Sequence, residues 1–271
     1  MPLFALLREA RVTVSRAMKE FGRRQTKSWA GPIYALRKEL GLASACHPLF
    51  DDKCSPYLNL AMFTSAFAKP QIDWPDHTKT IGFAFYDRRN PATGLSEEVR
   101  HCFQDGEPSI IFTLGSTAVM NPGSFYLEGK RAAEQLGRRA LLLTGKGSPE
   151  ISGSRDHMVV AYAPYSEIFP YAAAVVHQGG MGTTAQAMRA GCPQLVVPHA
   201  FDQPDNAARI NRLGLGLTLR KDCFNANRVA ARLSRVLDDK RIRAKAAQVR
   251  TVIEEENGAV AAVDAVEFVC G

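Results

Sequence analysis

The sequence predicts an α/β protein built around a doubly wound, Rossmann-like parallel sheet. Three observations support this fold class. From residue 109 onward, short apolar runs rich in β-formers alternate with runs of helix formers. Glycine-containing turns follow two of the predicted strands, and 46% apolar content in 271 residues is enough for sizeable cores. Strands that alternate with helices pair in parallel, because each helix returns the chain to the same edge of the sheet.

Composition narrows the class of protein. The chain carries a formal charge of +7, but its basic residues are spread along predicted helices and not interleaved with aromatic residues, so we expect no nucleic-acid partner. No apolar run approaches the roughly 20 residues that span a bilayer. Arg8 and Glu9 interrupt the first apolar run too early for a signal peptide, and the six cysteines form no C-x-x-C pair. We therefore expect a reduced, cytoplasmic protein without structural zinc.

The first part of the chain has a mixed pattern of helix and strand, which is typical of an α/β domain. Residues 1–45 have a helical pattern, with Pro32 at a helix start and Gly41 at its end. Two short strands are predicted, at Leu58–Phe63 and Thr80–Phe85. No group of side chains in this part forms a recognisable catalytic constellation.

The predicted organisation has four parts. Residues 1–86 form the second-domain remnant, residues 87–107 a linker with turn formers, residues 108–257 the doubly wound domain, and residues 258–271 a last helix. The last helix has one apolar face, made of residues three positions apart: Val260, Val263, Val266 and Val269.

The elements of the doubly wound domain follow in order. The first three strands are predicted at Ser109–Leu114, Arg139–Thr144 and His157–Tyr162. A helix that ends at Gly137 separates the first two strands. The fourth strand, Ala172–Val176, leads into the most informative turn of the sequence.

That turn is a Gly-Gly-x-Gly-Thr-Thr run at residues 179–184, and the helix formers of residues 185–190 follow it. Such a turn points unpaired N–H groups and the positive end of the helix dipole at an anion, most often a phosphate. The threonine hydroxyls can cap the helix, bind phosphate oxygens, or do both. A tight turn without a ligand is the alternative interpretation.

A second strand–turn–helix unit follows. Gly191 ends the helix, Gln194–Val197 forms a short buried strand, and Asp202 and Gln203 precede the next helix, Ala207–Leu213. The carboxyl ends of neighbouring parallel strands meet at one edge of the sheet. Both units therefore place polar groups where ligands bind in open α/β sheets.

The stretch from His177 to Arg209 resembles the donor-binding signature of family 1 glycosyltransferases with the GT-B fold. It reads HQGGMGTT, and after Ala185–Met188 it continues RAGCPQLVVPHAFDQPDNAAR. The family includes macrolide, sterol and plant secondary-metabolite glucosyltransferases. The resemblance implies that residues 108–257 bind a nucleotide sugar. It also implies that residues 1–86 are the rear part of an acceptor-binding domain whose beginning is absent.

The resemblance implies a set of donor-binding residues. Gly115 and Ser116 match a turn that approaches the diphosphate, and Tyr162 and Tyr165 lie where plant relatives carry a platform for the base. Gln178 stands where many relatives have a histidine, and its amide can donate a hydrogen bond but cannot become cationic. The full set is Gly115, Ser116, Tyr162, Tyr165, Gln178, Gly180, Gly182, Thr183, Thr184, Gln186, Asp202 and Gln203.

Other positions of the signature keep more than one interpretation. Gln186 replaces the glutamate that binds ribose hydroxyls in plant relatives. Asp202 and Gln203 match the family's pair for sugar hydroxyls, although Asp202 is also well placed to cap the following helix. Tyr162 is either a base platform or a core tyrosine. We interpret His177 as structural, because alternation along the strand points it away from its neighbour.

The implied reaction is inverting transfer of a hexose from a UDP-sugar or dTDP-sugar to a hydroxyl group of a small lipophilic acceptor, such as a sterol, macrolide or lipid. It implies no metal and no cofactor, and a peripheral membrane contact would suit such an acceptor. The sequence does not set the oligomeric state. The family's histidine base would lie near the start of the acceptor domain, upstream of these residues. We therefore assign no catalytic residue.

Two alternatives accompany this hypothesis. The first is a nucleotide-sugar-binding protein without transferase activity, which the missing base and Gln178 would favour. The second is an NAD-dependent dehydrogenase, which would carry G-x-G-x-x-G after the first strand. The chain reads LGST at residues 114–117, so we discount the dehydrogenase.

Overall fold

The computed structural model describes residues 17–43, 46–51, 54–86, 95, 97, 99–100, 107–115, 118–145, 151–154 and 156–271. Its contacts divide the chain into two compact units. The first unit comprises the described residues up to Leu60, together with Asp73–Lys79 and Ala265–Gly271. The second unit comprises Ala61–Ile72 and the described part of Thr80–Asp264.

The first unit begins with helices. Residues 17–26 are helical, a 3₁₀ turn spans Lys27–Ala30, and helix α1 spans Gly31–Glu39. Pro32 lies in the first turn of α1, and Gly41 follows the helix at a φ of 65°, which suits its end. The helical prediction for residues 1–45 is thus confirmed where the chain is described. Residues 1–16 and 44–45 lie outside the described residues.

Two short strands pair with each other, β1 at Asn59–Ala61 and β2 at Thr78–Thr80. Both are shorter than predicted, and the predicted strand Thr80–Phe85 is wrong beyond its first residue. Gly82 explains the difference, because its φ of 82° is incompatible with an extended strand.

The second unit contains a six-stranded parallel sheet, in the order β5-β4-β3-β6-β7-β8. This arrangement confirms the predicted α/β, doubly wound fold. Each predicted strand of the sheet lies within two residues of an observed one. The strands are β3 Ile110–Thr113, β4 Ala140–Leu143, β5 His157–Val160, β6 Ala174–His177, β7 Gln194–Val196 and β8 Gly216–Thr218.

All six strands are parallel, but the side on which the chain adds strands changes between β3 and β6. Strands β4 and β5 extend the sheet on one side of this pair, and β7 and β8 extend it on the other. Strands β3 and β6 pair in register, with Ile110 opposite Ala174 and Phe112 opposite Val176. The chain winds outward from this pair on both sides, so the turns that follow β3 and β6 diverge and leave a crevice. The candidate site lies at this switch point.

Helices cover both faces of the sheet. Two neighbouring residues of β3 show the two faces. Phe112 belongs to an apolar cluster with residues of the helices at 125–135 and 226–238, and Ile111 belongs to a cluster with a residue of the helix at 181–189. Both side chains are fully buried. The helices of the second unit are α2 Phe125–Gln135, α3 Tyr165–Ile168, α4 Met181–Arg189, α5 Gln203–Arg212, α6 Ala226–Asp238, α7 Lys240–Glu254 and the first part of α8 Gly258–Cys270.

Two helices begin four residues earlier than predicted. Helix α4 begins at Met181 instead of Ala185, and α5 begins at Gln203 instead of Ala207. The glycine and polar residues that we assigned to loops lie in the first turns of these helices. Pro204 explains the start of α5, because proline is favoured where a helix N–H has no partner.

The predicted domain boundaries stay a prediction. Most of the predicted linker, residues 87–107, lies outside the described residues.

Within the first unit, Leu58, Leu60, Val266 and Val269 contribute to an apolar cavity of about 470 Å³. In the part of the chain that the structure describes, no helix is long and apolar enough to cross a membrane.

Candidate functional site

The turn after β6 requires glycine at residue 179. Gly179 has a φ of 88°, and a Cβ atom there would lie 2.7 Å from Val196 Cγ1. Gly180 then precedes helix α4 in an extended conformation, with no side chain capping the helix. The first intrahelical bond runs from the N–H of Thr184 to the carbonyl of Gly180. The N–H groups before Thr184 thus have no acceptor within the helix, and they lie at the switch point.

The side chain of Gln178 fills the space between two glycine turns. A Cβ atom at Gly115 would lie 2.0 Å from Gln178 Nε2, and one at Gly180 would lie 2.7 Å from it. Gln178 is only 5% exposed, and its Oε1 atom is buried without a hydrogen-bond partner among the described residues. A buried polar atom without a partner is costly unless a ligand or water completes its bonds. Gln178 therefore lies between the turns after β3 and β6, and its role in ligand binding stays a prediction.

Gly182 has a different role from the other glycines. A Cβ atom at this position would meet no atom within 4 Å, so packing does not require glycine. Glycine within a helix costs about 1 kcal/mol relative to alanine. The absence of a side chain leaves the first turn of α4 open to close approach by a ligand.

The prediction that Thr183 or Thr184 caps the helix is wrong. Because α4 begins at Met181, both residues lie inside it, and Gly180 occupies the capping position. The hydroxyl of Thr183 bonds to that of Tyr165, which lies 2.8 Å from Thr113 Oγ1. Thr184 is fully buried, and its Oγ1 has no partner among the described residues. Phosphate binding by the two hydroxyls stays a prediction.

A cavity of about 390 Å³ opens at the carboxyl ends of β3, β4 and β5. Tyr162, Tyr165 and Gln186 all contribute to it, so the structure brings Gln186 of α4 next to the segment that follows β5. Tyr162 is 72% exposed and presents a free aromatic surface. The cavity is lined mainly by apolar groups, including Leu114 and Leu143, which suits a flat, partly apolar ring.

Tyr86, Tyr162 and Tyr165 all line this cavity, and the two that were predicted as site residues, Tyr162 and Tyr165, are not equivalent. Tyr165 stacks on Phe169, with ring centroids 4.5 Å apart and an interplanar angle of 16°. Its hydroxyl bonds to Thr113, and burial raises its pKa. Tyr165 is thus built into the core, whereas Tyr162 and Tyr86, which is 82% exposed, are the open tyrosines of the cavity.

Asp202 and Gln203 follow β7 on the other side of the switch point. Asp202 does not cap α5 through its side chain. Its Oδ2 accepts a hydrogen bond from Asn206 Nδ2 at 2.7 Å, and its other oxygen has no partner among the described residues. The Oε1 atom of Gln203 accepts from the N–H groups of His199 and Ala200, at 2.8 Å and 3.0 Å. The amide of Gln203 therefore has only its NH₂ group left for a ligand.

Asn206 is a site residue that the sequence interpretation missed. Its amide donates both to Asp202 and to the carbonyl of Gly179, the latter at 2.9 Å, and the side chain is buried. It links the glycine turn to the Asp202 loop. Its position one helical turn after Asp202 was the only available signal, because side chains four apart on a helix are neighbours.

His177 is structural, in agreement with the prediction from strand alternation. The ring is fully buried, and its Nδ1 accepts from the N–H of Gly179 at 3.1 Å. The proton therefore lies on Nε2, which donates to Gln194 Oε1 at 2.9 Å. Burial lowers the pKa of His177 to about 4, so the ring is neutral near pH 7. Its bonds hold the turn before α4 in place.

The structure gathers the predicted residues into three neighbouring groups. Gly115, Gln178 and the α4 start form the centre, the tyrosine cavity lies on the β4 side, and Asp202 and Gln203 lie on the β7 side. Ser116 lies outside the described residues. A parallel sheet of this order, with a glycine turn at its switch point, defines the doubly wound class of nucleotide-binding domains.

Comparison with known proteins agrees with this class. Residues 146–261 match the family described as "Erythromycin biosynthesis protein CIII-like, C-terminal domain". The chain is 43% identical over 150 residues to O-mycaminosyltylonolide 6-deoxyallosyltransferase of Streptomyces fradiae, covering 55% of this chain and 34% of that protein. It is 30% identical over 214 residues to sterol 3-beta-glucosyltransferase of Yarrowia lipolytica, covering 74% of this chain and 15% of that protein.

Solved structures share the fold. The glycotransferase of kitacinnamycin has a TM-score of 0.75 at 20% identity, covering 97% of this chain and 66% of that one. The calicheamicin glycosyltransferase CalG4 has a TM-score of 0.65 at 19% identity, covering 88% and 60%. The chain thus spans less than two thirds of the length of these proteins. The chain is similar to family 1 glycosyltransferases with the GT-B fold, and residues 146–261 carry the family match.

Proposed function

We propose that this chain binds a UDP-sugar or dTDP-sugar and serves inverting transfer of its hexose to a hydroxyl group of a small lipophilic acceptor. The observation that carries the proposal is the position of Gln178. Its amide lies between two glycine turns at the start of α4, and one buried polar atom has no partner among the described residues. An amide at this position suits the diphosphate of the donor when its NH₂ group is turned toward the phosphate oxygens.

The leaving diphosphate is the part of the donor whose negative charge grows during transfer. Helix α4 directs its positive end and its unpaired N–H groups at the switch point. The open backbone at Gly182 allows a phosphate oxygen to approach those groups. Rotation of the Gln178 amide about its last bond exchanges oxygen and nitrogen, so the same side chain can also present an N–H to a phosphate.

The base and the hexose extend in opposite directions from the diphosphate. The base lies in the cavity with Tyr162, and Gln186 faces the ribose from α4. The hexose lies over Asp202 and Gln203, where a free carboxylate oxygen accepts from a hydroxyl and a free NH₂ group donates to one. We propose that no metal or cofactor takes part.

A second candidate is binding of the nucleotide sugar without transfer. The neutral amide of Gln178 favours it, because an amide stabilises the charge of a leaving diphosphate less than a cationic side chain would. The two candidates share the donor site and differ in whether the bound hexose is transferred to an acceptor.

Thermal shift and calorimetry test the shared donor site. UDP or dTDP at a hundredfold excess over Kd should stabilise the folded chain by about 2.7 kcal/mol. ADP is the matched control, because it keeps the diphosphate and changes the base. Gln178→Ala should weaken UDP and UDP-glucose alike, by roughly tenfold. Absence of any shift with millimolar UDP and dTDP would reject the site.

Incubation with radiolabelled UDP-glucose and a panel of sterols and macrolides separates the two candidates. Labelled product that disappears in Asp202→Ala supports transfer. Binding of UDP-glucose without product from any acceptor in the panel supports the second candidate.

A further inference from the structure

Phe201 has an unusual backbone conformation for its residue type. Its φ is 59°, in the left-handed region. Among the described residues only His77 shares this property without being glycine. Histidine visits this region more readily than most residues, whereas a bulky aromatic residue there is an outlier. The conformation of Phe201 thus needs a physical explanation.

The surrounding turn imposes this conformation. The N–H of Gln203 bonds to the carbonyl of Ala200 at 3.2 Å, and the Gln203 side chain accepts the N–H groups of His199 and Ala200. These bonds close the chain tightly around Phe201. Glycine would adopt the required φ without strain, so the fold alone would favour glycine at this position.

Burial does not offset the strain. The side chain of Phe201 is 86% exposed, so the ring gains almost nothing from packing in the free protein. Strained residues of this kind concentrate at ligand-binding positions, because a bound ligand supplies the missing contact. Phe201 immediately precedes Asp202 and Gln203, at the end of β7.

We propose that the ring of Phe201 contacts the C–H face of the donor hexose and helps to select it. This inference rests on the proposed function. The face of an aromatic ring carries negative charge, so it attracts C–H groups and does not attract a diphosphate. The proposed base cavity lies beyond β3, on the opposite side of the switch point from β7. Of the three parts of the donor, the hexose is the one proposed to lie on the β7 side, next to Asp202 and Gln203, where Phe201 also lies.

Calorimetry with UDP and UDP-glucose on matched variants tests the inference. Phe201→Gly and Phe201→Ala should weaken UDP-glucose roughly three- to tenfold and leave UDP unchanged. Phe201→Tyr, which keeps an aromatic ring, should retain the affinity of the native chain. Phe201→Gly should melt no lower than the native chain, because it relieves the backbone. Phe268→Ala removes a ring that is 89% exposed on α8 and serves as the control.

Each outcome decides the inference. If Phe201→Gly binds UDP-glucose as tightly as the native chain, the ring makes no contact with the hexose. If it weakens UDP to the same degree, its effect is on the loop and the inference is wrong. Failure of the native chain to bind UDP would overturn the proposed function as well, so titration of the native chain distinguishes the two failures.

Discussion

Asn206 and Gly179 lie on different strand–turn–helix units, and a single hydrogen bond of 2.9 Å joins the amide of the first to the carbonyl of the second. The same amide nitrogen also donates to Asp202 at 2.7 Å. Because Asn206 is buried, water does not compete for these bonds. The bond sets the distance between the proposed diphosphate and hexose positions.

Replacement of Asn206 should therefore affect both stability and sugar binding. Asn206→Ala leaves the Gly179 carbonyl without its donor and removes the partner of Asp202. We therefore expect the free energy of unfolding to fall by about 1–3 kcal/mol. Urea unfolding measures this change. Asn227→Ala, which removes an exposed hydrogen bond to Gln135, is the control and should change stability little. Equal destabilisation by the two variants would show that the buried amide has no special role.

The two glycines at 115 and 182 should respond oppositely to alanine. Gly182→Ala places its methyl group in open space within a helix, so it should stabilise the fold by up to about 1 kcal/mol and weaken UDP by crowding the first turn of α4. Gly115→Ala would clash with the Gln178 amide and should weaken both folding and UDP binding. Thermal denaturation with and without UDP measures both effects. A Gly182→Ala variant that binds UDP normally would contradict the proposed approach of the phosphate.

The buried imidazole of His177 predicts a pH dependence of stability. Its pKa is lowered from 6.5 to about 4, so between these values the unfolded chain binds a proton that the folded chain excludes. Stability should fall as the pH decreases through this window, by about 3 kcal/mol in total from this residue. Urea unfolding at pH 7, 6, 5 and 4.5 measures the slope.

Two histidine variants separate the contribution of His177 to this pH dependence from that of other groups. His177→Asn should be less stable at pH 7, because it loses the bond to Gln194, but its stability should depend less on pH. His77→Asn changes an exposed histidine and should keep the slope of the native chain. If His177→Asn shows the same slope as the native chain, other groups cause the dependence.

Tyr162 and Tyr165 should separate binding from folding. Tyr162→Ala should weaken UDP by roughly 1–3 kcal/mol if the base stacks on this ring, and Tyr162→Phe should not, because it keeps the ring. Tyr165→Phe should instead lower stability, since it removes the bond to Thr113 from a buried side chain. Calorimetry and urea unfolding on the three variants decide this. Unchanged UDP affinity in Tyr162→Ala would place the base elsewhere.

Local pattern was enough to predict five of the six strands of the sheet, all except β8 at Gly216–Thr218. Strands such as Ala174–His177 are short apolar runs bounded by glycine, and this signal depends only on neighbouring residues. The helix starts were less predictable. Met181 and Gln203 begin helices inside stretches that have the composition of loops, because glycine and proline are tolerated in a first turn.

The sequence by itself determined the parallel α/β fold, the glycine turn at the start of α4 and the resemblance to family 1 glycosyltransferases, because each of these depends on residues that are close together in the chain. Only the tertiary structure decided which side chains meet. Gln178 fits between Gly115 and Gly180, Asn206 reaches Gly179, and Tyr162 is open to a ligand, through contacts that depend on the pairing of distant strands. The strain at Phe201 likewise follows from the closure of its turn, which residue type alone does not reveal.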